Sequence, residues 1–109
     1  MLGVRLYLAQ RISALIMAPL VLGHLVVMIY ATRDGLSASE ILSRTQGSLF
    51  WGLSYGLFVA AVAVHAAIGL RVIVAEYVRL PGLALDAFTW SVGGVLLAMG
   101  ARAVAAVVL

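Results

Sequence analysis

Cysteine is absent from the 109 residues, so no disulfide, thiolate metal site or iron–sulfur cluster is ligated from this chain. Lysine is absent too, and only four carboxylates occur, Asp34, Glu40, Glu76 and Asp86. Charged residues reach 10% of the chain, against about 25% in ordinary soluble domains. With hydrophobic residues at 65%, a water-soluble fold would have too little polar surface to cover its apolar side chains. No acid–base pair, nucleophile set or cluster of metal ligands stands out, which argues against an enzyme complete in itself. The net charge of +3 is not a nucleic-acid signature. Its seven arginines are scattered singly beside apolar segments, as headgroup and orientation anchors are.

What is present is three apolar stretches of about 20 residues, the length that crosses a bilayer. The first runs from about Ile12 to Ala31, the second from Leu49 to Ala75, and the third from about Leu85 to Leu109. The expected fold is all-α, a membrane bundle of three transmembrane helices forming one domain over 1–109. Its small size calls for a partner anchor subunit to complete it. The run behind Arg5 is too long for a signal peptide, contains Pro19 and lacks a convincing small-residue cleavage site, so it reads as a retained span. Pro19 should bend that span locally, because proline removes one backbone hydrogen bond.

Between the first two spans, Ser37-Ala38-Ser39-Glu40 fits a capping box, and a short interfacial helix is expected from Ala38. Pro81-Gly82 marks the turn before the third span. Arg5, Arg11, Arg71 and Arg79 lie toward one membrane surface, and Arg33 and Arg44 toward the other. The positive-inside rule then puts the N-terminus in the cytoplasm and the C-terminus outside. The expected location is the inner, cytoplasmic membrane.

Both histidines, His24 and His65, fall inside the expected spans. An imidazole in hydrocarbon needs a hydrogen bond or a metal, and neutral imidazole is a common axial ligand of haem iron. The competing reading is a histidine bonded to a neighbouring helix. Around His65, Gly69 lies one turn on and would leave room for a flat macrocycle. Arg71 lies six residues on, roughly 9 Å along the axis, where propionates would emerge. Gly52, Gly56, Ala60, Ala63 and Ala67 equally describe a close-packing helix face. Arg11 either snorkels to headgroups or, with Ser13 and Tyr77, lines a donor-rich pocket suited to a quinone carbonyl.

The run Gln10-Arg11-Ile12-Ser13-Ala14, followed by His65-x3-Gly69-x-Arg71 and Glu76-Tyr77, resembles the cytochrome b membrane anchors of succinate:quinone oxidoreductases, the succinate dehydrogenases and fumarate reductases. The resemblance covers nearly the whole chain. It implies two small anchor subunits that together bind haem b and quinone and hold a flavoprotein subunit and an iron–sulfur subunit at the inner surface. It implies His65 as an axial haem ligand, and Arg11, Ser13 and Tyr77 at the quinone. Gln10 and Ala14 depart from the commoner His-Arg-x-Ser-Gly form, and Tyr7 replaces the serine one turn before the arginine. By helix rise His24 falls roughly 20 Å beyond Arg11, whereas His65 falls roughly 15 Å from the end of the second span. Two depths suggest two haems, each completed by a ligand from the partner anchor, with a single haem at His65 as the alternative. A haem b anchor of another dehydrogenase and a cofactor-free structural or transport subunit are the alternative readings.

Overall fold

The structure, a computed structural model, describes residues 3–109. Four helices follow one another: α1 (Val4–Arg33), α2 (Ala38–Thr45), α3 (Leu49–Tyr77) and α4 (Gly82–Val108). Among the described residues there is no strand. Helices α1, α3 and α4 are each long and apolar enough to cross a membrane, and the fold measures 49 Å along its long axis. That length exceeds the roughly 30 Å of hydrocarbon in a bilayer, so the helix ends reach beyond it.

Burial runs opposite to the soluble pattern. Among the described residues six are buried, and all but Ile68 are small, polar or both: Ser13, Thr45, Ala61, Ala63, Ala67 and Ile68. Large apolar side chains such as Leu15, Leu22, Phe50 and Leu53 point outward. Lipid tails are as apolar as leucine, so helices in a bilayer associate where small residues let backbones approach. Helix α3 is central and packs against α1 on one side and α4 on the other. Gly93 of α4 faces the Ala67 methyl, and Gly100 lies so close to Val59 that a Cβ there would collide with its side chain.

Helix α1 begins at Val4, eight residues before the apolar run becomes continuous, because the polar and charged residues there remain good helix formers. It passes through Pro19 without ending. Gly35, with φ of +64°, closes the turn after it, and Leu36 N–H donates to the Ala31 carbonyl. The expected capping box opens α2: Ser37 N–H donates to Glu40 Oε2 at 2.6 Å, and Glu40 N–H donates to Ser37 Oγ at 3.2 Å. The Ser37 backbone N–H, its largest influence, holds the Glu40 carboxyl below its ordinary value.

The α2–α3 linker also ties down the end of α4. Thr45 Oγ1 donates to the Val107 carbonyl at 2.6 Å, and Gly47 N–H donates to the Val108 carbonyl at 2.7 Å. These are among the carbonyls that a helix end leaves without intrahelical partners. At the other surface, the turn expected at Pro81-Gly82 is made one step earlier. Arg79, with φ of +59°, terminates α3, Pro81 caps α4, and Gly82 is already helical.

Candidate functional site

Ser13 and His65 meet where α1 crosses α3. Ser13 Oγ donates its proton to the Gln10 carbonyl at 3.0 Å, the local bond a serine makes inside a helix. The same oxygen lies 3.4 Å from His65 Nδ1. A hydroxyl has one proton, and here it is already given away. With that bond made, the contact takes Nδ1–H as donor, the arrangement that turns the other ring nitrogen, Nε2, away from Ser13. Nε2 has no hydrogen-bond partner among the described residues, and the ring is half-buried. Orienting a histidine through one nitrogen while freeing the other is how proteins prepare an imidazole for a metal.

Gly69 lies on the same side of α3 as His65, but the space beside it is not empty. A Cβ there would sit 3.5 Å from Gln10 Nε2, so the Gln10 side chain occupies the place expected for a macrocycle edge. Gln10 Oε1 is buried with no hydrogen-bond partner. Gln10 was not foreseen as a site residue beyond its place in the sequence pattern. It becomes one by supplying the carbonyl that sets the Ser13 hydroxyl.

His24 sits elsewhere. Its ring meets Tyr55 edge-on at 5.9 Å and Phe58 at 5.4 Å, and its Nδ1 is buried with no partner. It lines a cavity of about 340 Å³ together with Thr45, Tyr55, Phe58, Val59 and residues near the end of α4. Tyr55 and Phe58 precede His65 by ten and seven residues, so the two imidazoles lie roughly 10–15 Å apart along α3. Fewer than three ligating side chains gather at either level: no group of three or more His, Cys, Asp or Glu suited to a metal ion exists among the described residues. Each level offers a single imidazole. This donor set fits a haem whose porphyrin supplies four nitrogens and whose remaining ligand comes from elsewhere.

Arg71 turns to α4. Its Nη1 lies 2.7 Å from Asp86 Oδ1 and donates to Thr89 Oγ1 at 3.1 Å. Six residues rotate an α-helix by about 600°, leaving Arg71 about 120° round α3 from His65. The guanidinium is thus joined to a carboxylate of its own chain, on a different face from the imidazole.

Among the three residues expected at one quinone pocket, Ser13 is buried against His65, whereas Arg11 and Tyr77 are exposed. The Arg11 guanidinium lies 5.9 Å from the Tyr7 ring centroid. Tyr77 is 80% exposed, and no hydrogen bond joins it to Arg11 or Ser13 among the described residues. Arg11 and Ser13 lie in the first third of α1 and Tyr77 ends α3, so all three lie toward the same end of the bundle.

No curated protein and no solved structure matches the chain. A family model does, that of the succinate dehydrogenase/fumarate reductase transmembrane subunit, over residues 1–108. The bundle of three long apolar helices is what a membrane anchor of such an oxidoreductase requires. This chain belongs to the succinate dehydrogenase/fumarate reductase transmembrane subunit family.

Proposed function

We propose that this chain is a haem b anchor of a succinate:quinone oxidoreductase, with His65 Nε2 as an axial ligand. The observation that carries the reading is the Ser13–His65 contact, which engages Nδ1 and leaves Nε2 without a partner among the described residues, in a half-buried position within a membrane-spanning helix. His24, at the second level, is the proposed ligand of a second haem. Its partnerless Nδ1 and its aromatic neighbours Tyr55 and Phe58 support that assignment. A second anchor subunit supplies the opposite ligands. Bound haem provides reversible one-electron storage between the partner subunits and quinone. Arg71 is left out of the haem site, because Asp86 and Thr89 already engage it.

Quinone is proposed at the end of the bundle that carries Arg11 and Tyr77, both exposed and able to donate hydrogen bonds. An iron–sulfur and a flavoprotein subunit dock at that end and complete the pocket. That surface is the cytoplasmic face of the inner membrane, with the C-terminus outside, in keeping with the arginine distribution.

The deciding experiment is a reduced-minus-oxidised spectrum of the purified complex carrying His65→Ala. Loss of one low-spin b-type signal is expected, and an unchanged spectrum would remove His65 from the ligand set. Arg11→Ala should slow quinone reduction while succinate oxidation by a soluble acceptor continues. Wild-type rates with both acceptors would reduce Arg11 to a headgroup anchor.

The Ser13–His65 contact also supports a second reading, in which the histidine is only a link between helices and the subunit holds no cofactor. A complex with no visible haem absorption would establish it.

A further inference from the structure

A second hollow lies where α3 and α4 meet, and Leu6 and Ala9 of α1 also line it. It is a groove of about 540 Å³, floored by Ala63 and Ala67 of α3 and by Gly93 and Gly94 of α4. His65 does not line it. Its walls are almost wholly apolar, and its polar groups are gathered at one end: Arg71, Asp86 and Thr89. Trp90, 81% exposed, stands at the rim.

The level of that polar end follows from the helix ends. Arg71 is six residues before the end of α3, and Asp86 is four residues after the start of α4. By helix rise both lie roughly 6–9 Å below the ends of the bundle, where headgroups give way to acyl chains. Trp90 in the same region fits, since amphipathic rings favour that depth. The two charges are adjacent but differently exposed: the Arg71 side chain is 21% exposed and that of Asp86 55%.

A hydrocarbon-lined trough that ends in a paired cation and anion is complementary to one kind of molecule. It needs a long apolar tail and a head that carries both charges. A phosphate suits the guanidinium through paired hydrogen bonds. A primary ammonium suits the outer carboxylate as a donor of charge-assisted hydrogen bonds. A purely anionic head would meet Asp86 as a like charge. A quaternary ammonium has no N–H to give it.

We infer that this groove binds one ethanolamine phospholipid, its acyl chain along Ala63 and Gly94, its phosphate on Arg71 and its ammonium on Asp86. The Arg71–Asp86 pair opens to receive the headgroup, and each charge exchanges one partner for another of the same sign.

The test equilibrates the intact solubilised complex with mixed micelles of equal ethanolamine, choline and glycerol phospholipids, and counts retained lipid by native mass spectrometry. The ethanolamine lipid should be retained about tenfold over the choline lipid, the effect of one charge-assisted hydrogen bond. Nothing lies within 4 Å of a Cβ built on Gly94, so Gly94→Leu fills the trough without a backbone clash. That variant should lose the retained lipid while keeping the wild-type haem spectrum. Asp86→Asn keeps the shape of the groove and should erase the preference for ethanolamine over choline.

Equal retention of the two lipids by the wild-type complex, or an unaltered preference in Asp86→Asn, overturns the proposal. So does loss of another subunit from Gly94→Leu, which would make the groove a seat for that subunit's helix. If Gly94→Leu does not assemble at all, Asp86→Asn decides alone.

Discussion

Ser13 Oγ lies 3.4 Å from His65 Nδ1 while donating its proton to the carbonyl of Gln10. One serine thus joins α1 to α3 and engages Nδ1 of the imidazole, with Nε2 left unpartnered among the described residues. Removing it should do two separable things. Ser13→Ala should destabilise the α1–α3 contact by about 1 kcal/mol, the usual net worth of such a bond. It should also weaken haem retention roughly 10- to 100-fold, as loss of a ligand-orienting partner does. Haem titration and redox midpoint of the variant measure the second effect. A midpoint and affinity identical to wild type would leave Ser13 as a packing residue alone. Ser13→Thr keeps the hydroxyl and should restore both.

The Gly100–Val59 approach predicts a pronounced size limit. A methyl at position 100 would overlap the valine side chain, so Gly100→Ala forces α3 and α4 apart. Overpacking of this kind costs about 1–3 kcal/mol. Thermal unfolding of the detergent-solubilised complex should register it, and the double variant Gly100→Ala/Val59→Ala should recover most of the loss. No change in Gly100→Ala would mean that the helices slide freely at this level.

Acid should loosen α2 through Glu40. Its carboxyl is held below the ordinary 4.5, first by the Ser37 backbone N–H. A lowered folded-state pKa means that the contribution is complete above 4.5 and is lost as pH falls through the folded value. Amide exchange at Ser37 and Glu40 should therefore accelerate below pH 4.5, after correction for intrinsic rates. Glu40→Gln retains a capping side chain without a charge, and its α2 should show no such acid transition.

The three spans and the capping box were legible because each is written in neighbouring residues. Hydropathy over about 20 positions locates a span, and Ser37 with Glu40 three places on announces the start of α2. The Ser13–His65 contact was not legible in the same way. Those residues are 52 positions apart, and only the register of α1 against α3 brings them together. Asp86 and Thr89 escaped notice for a simpler reason. The distance of Arg71 along the axis from His65 does not by itself give its rotation round the helix. The 120° offset, available from residue spacing alone, turns the guanidinium toward α4. His24 was placed at a different depth from His65, and the rings of Tyr55 and Phe58 against it give that separation a structural form.

Thr45 donates its hydroxyl proton to a carbonyl 62 positions downstream, which gives assembly a direction in time. The linker joining α2 to α3 is made early, yet two of its donors wait until α4 has been synthesised and inserted. Until then the loop lacks its latch, and closure of that end of the bundle becomes a late event of biogenesis.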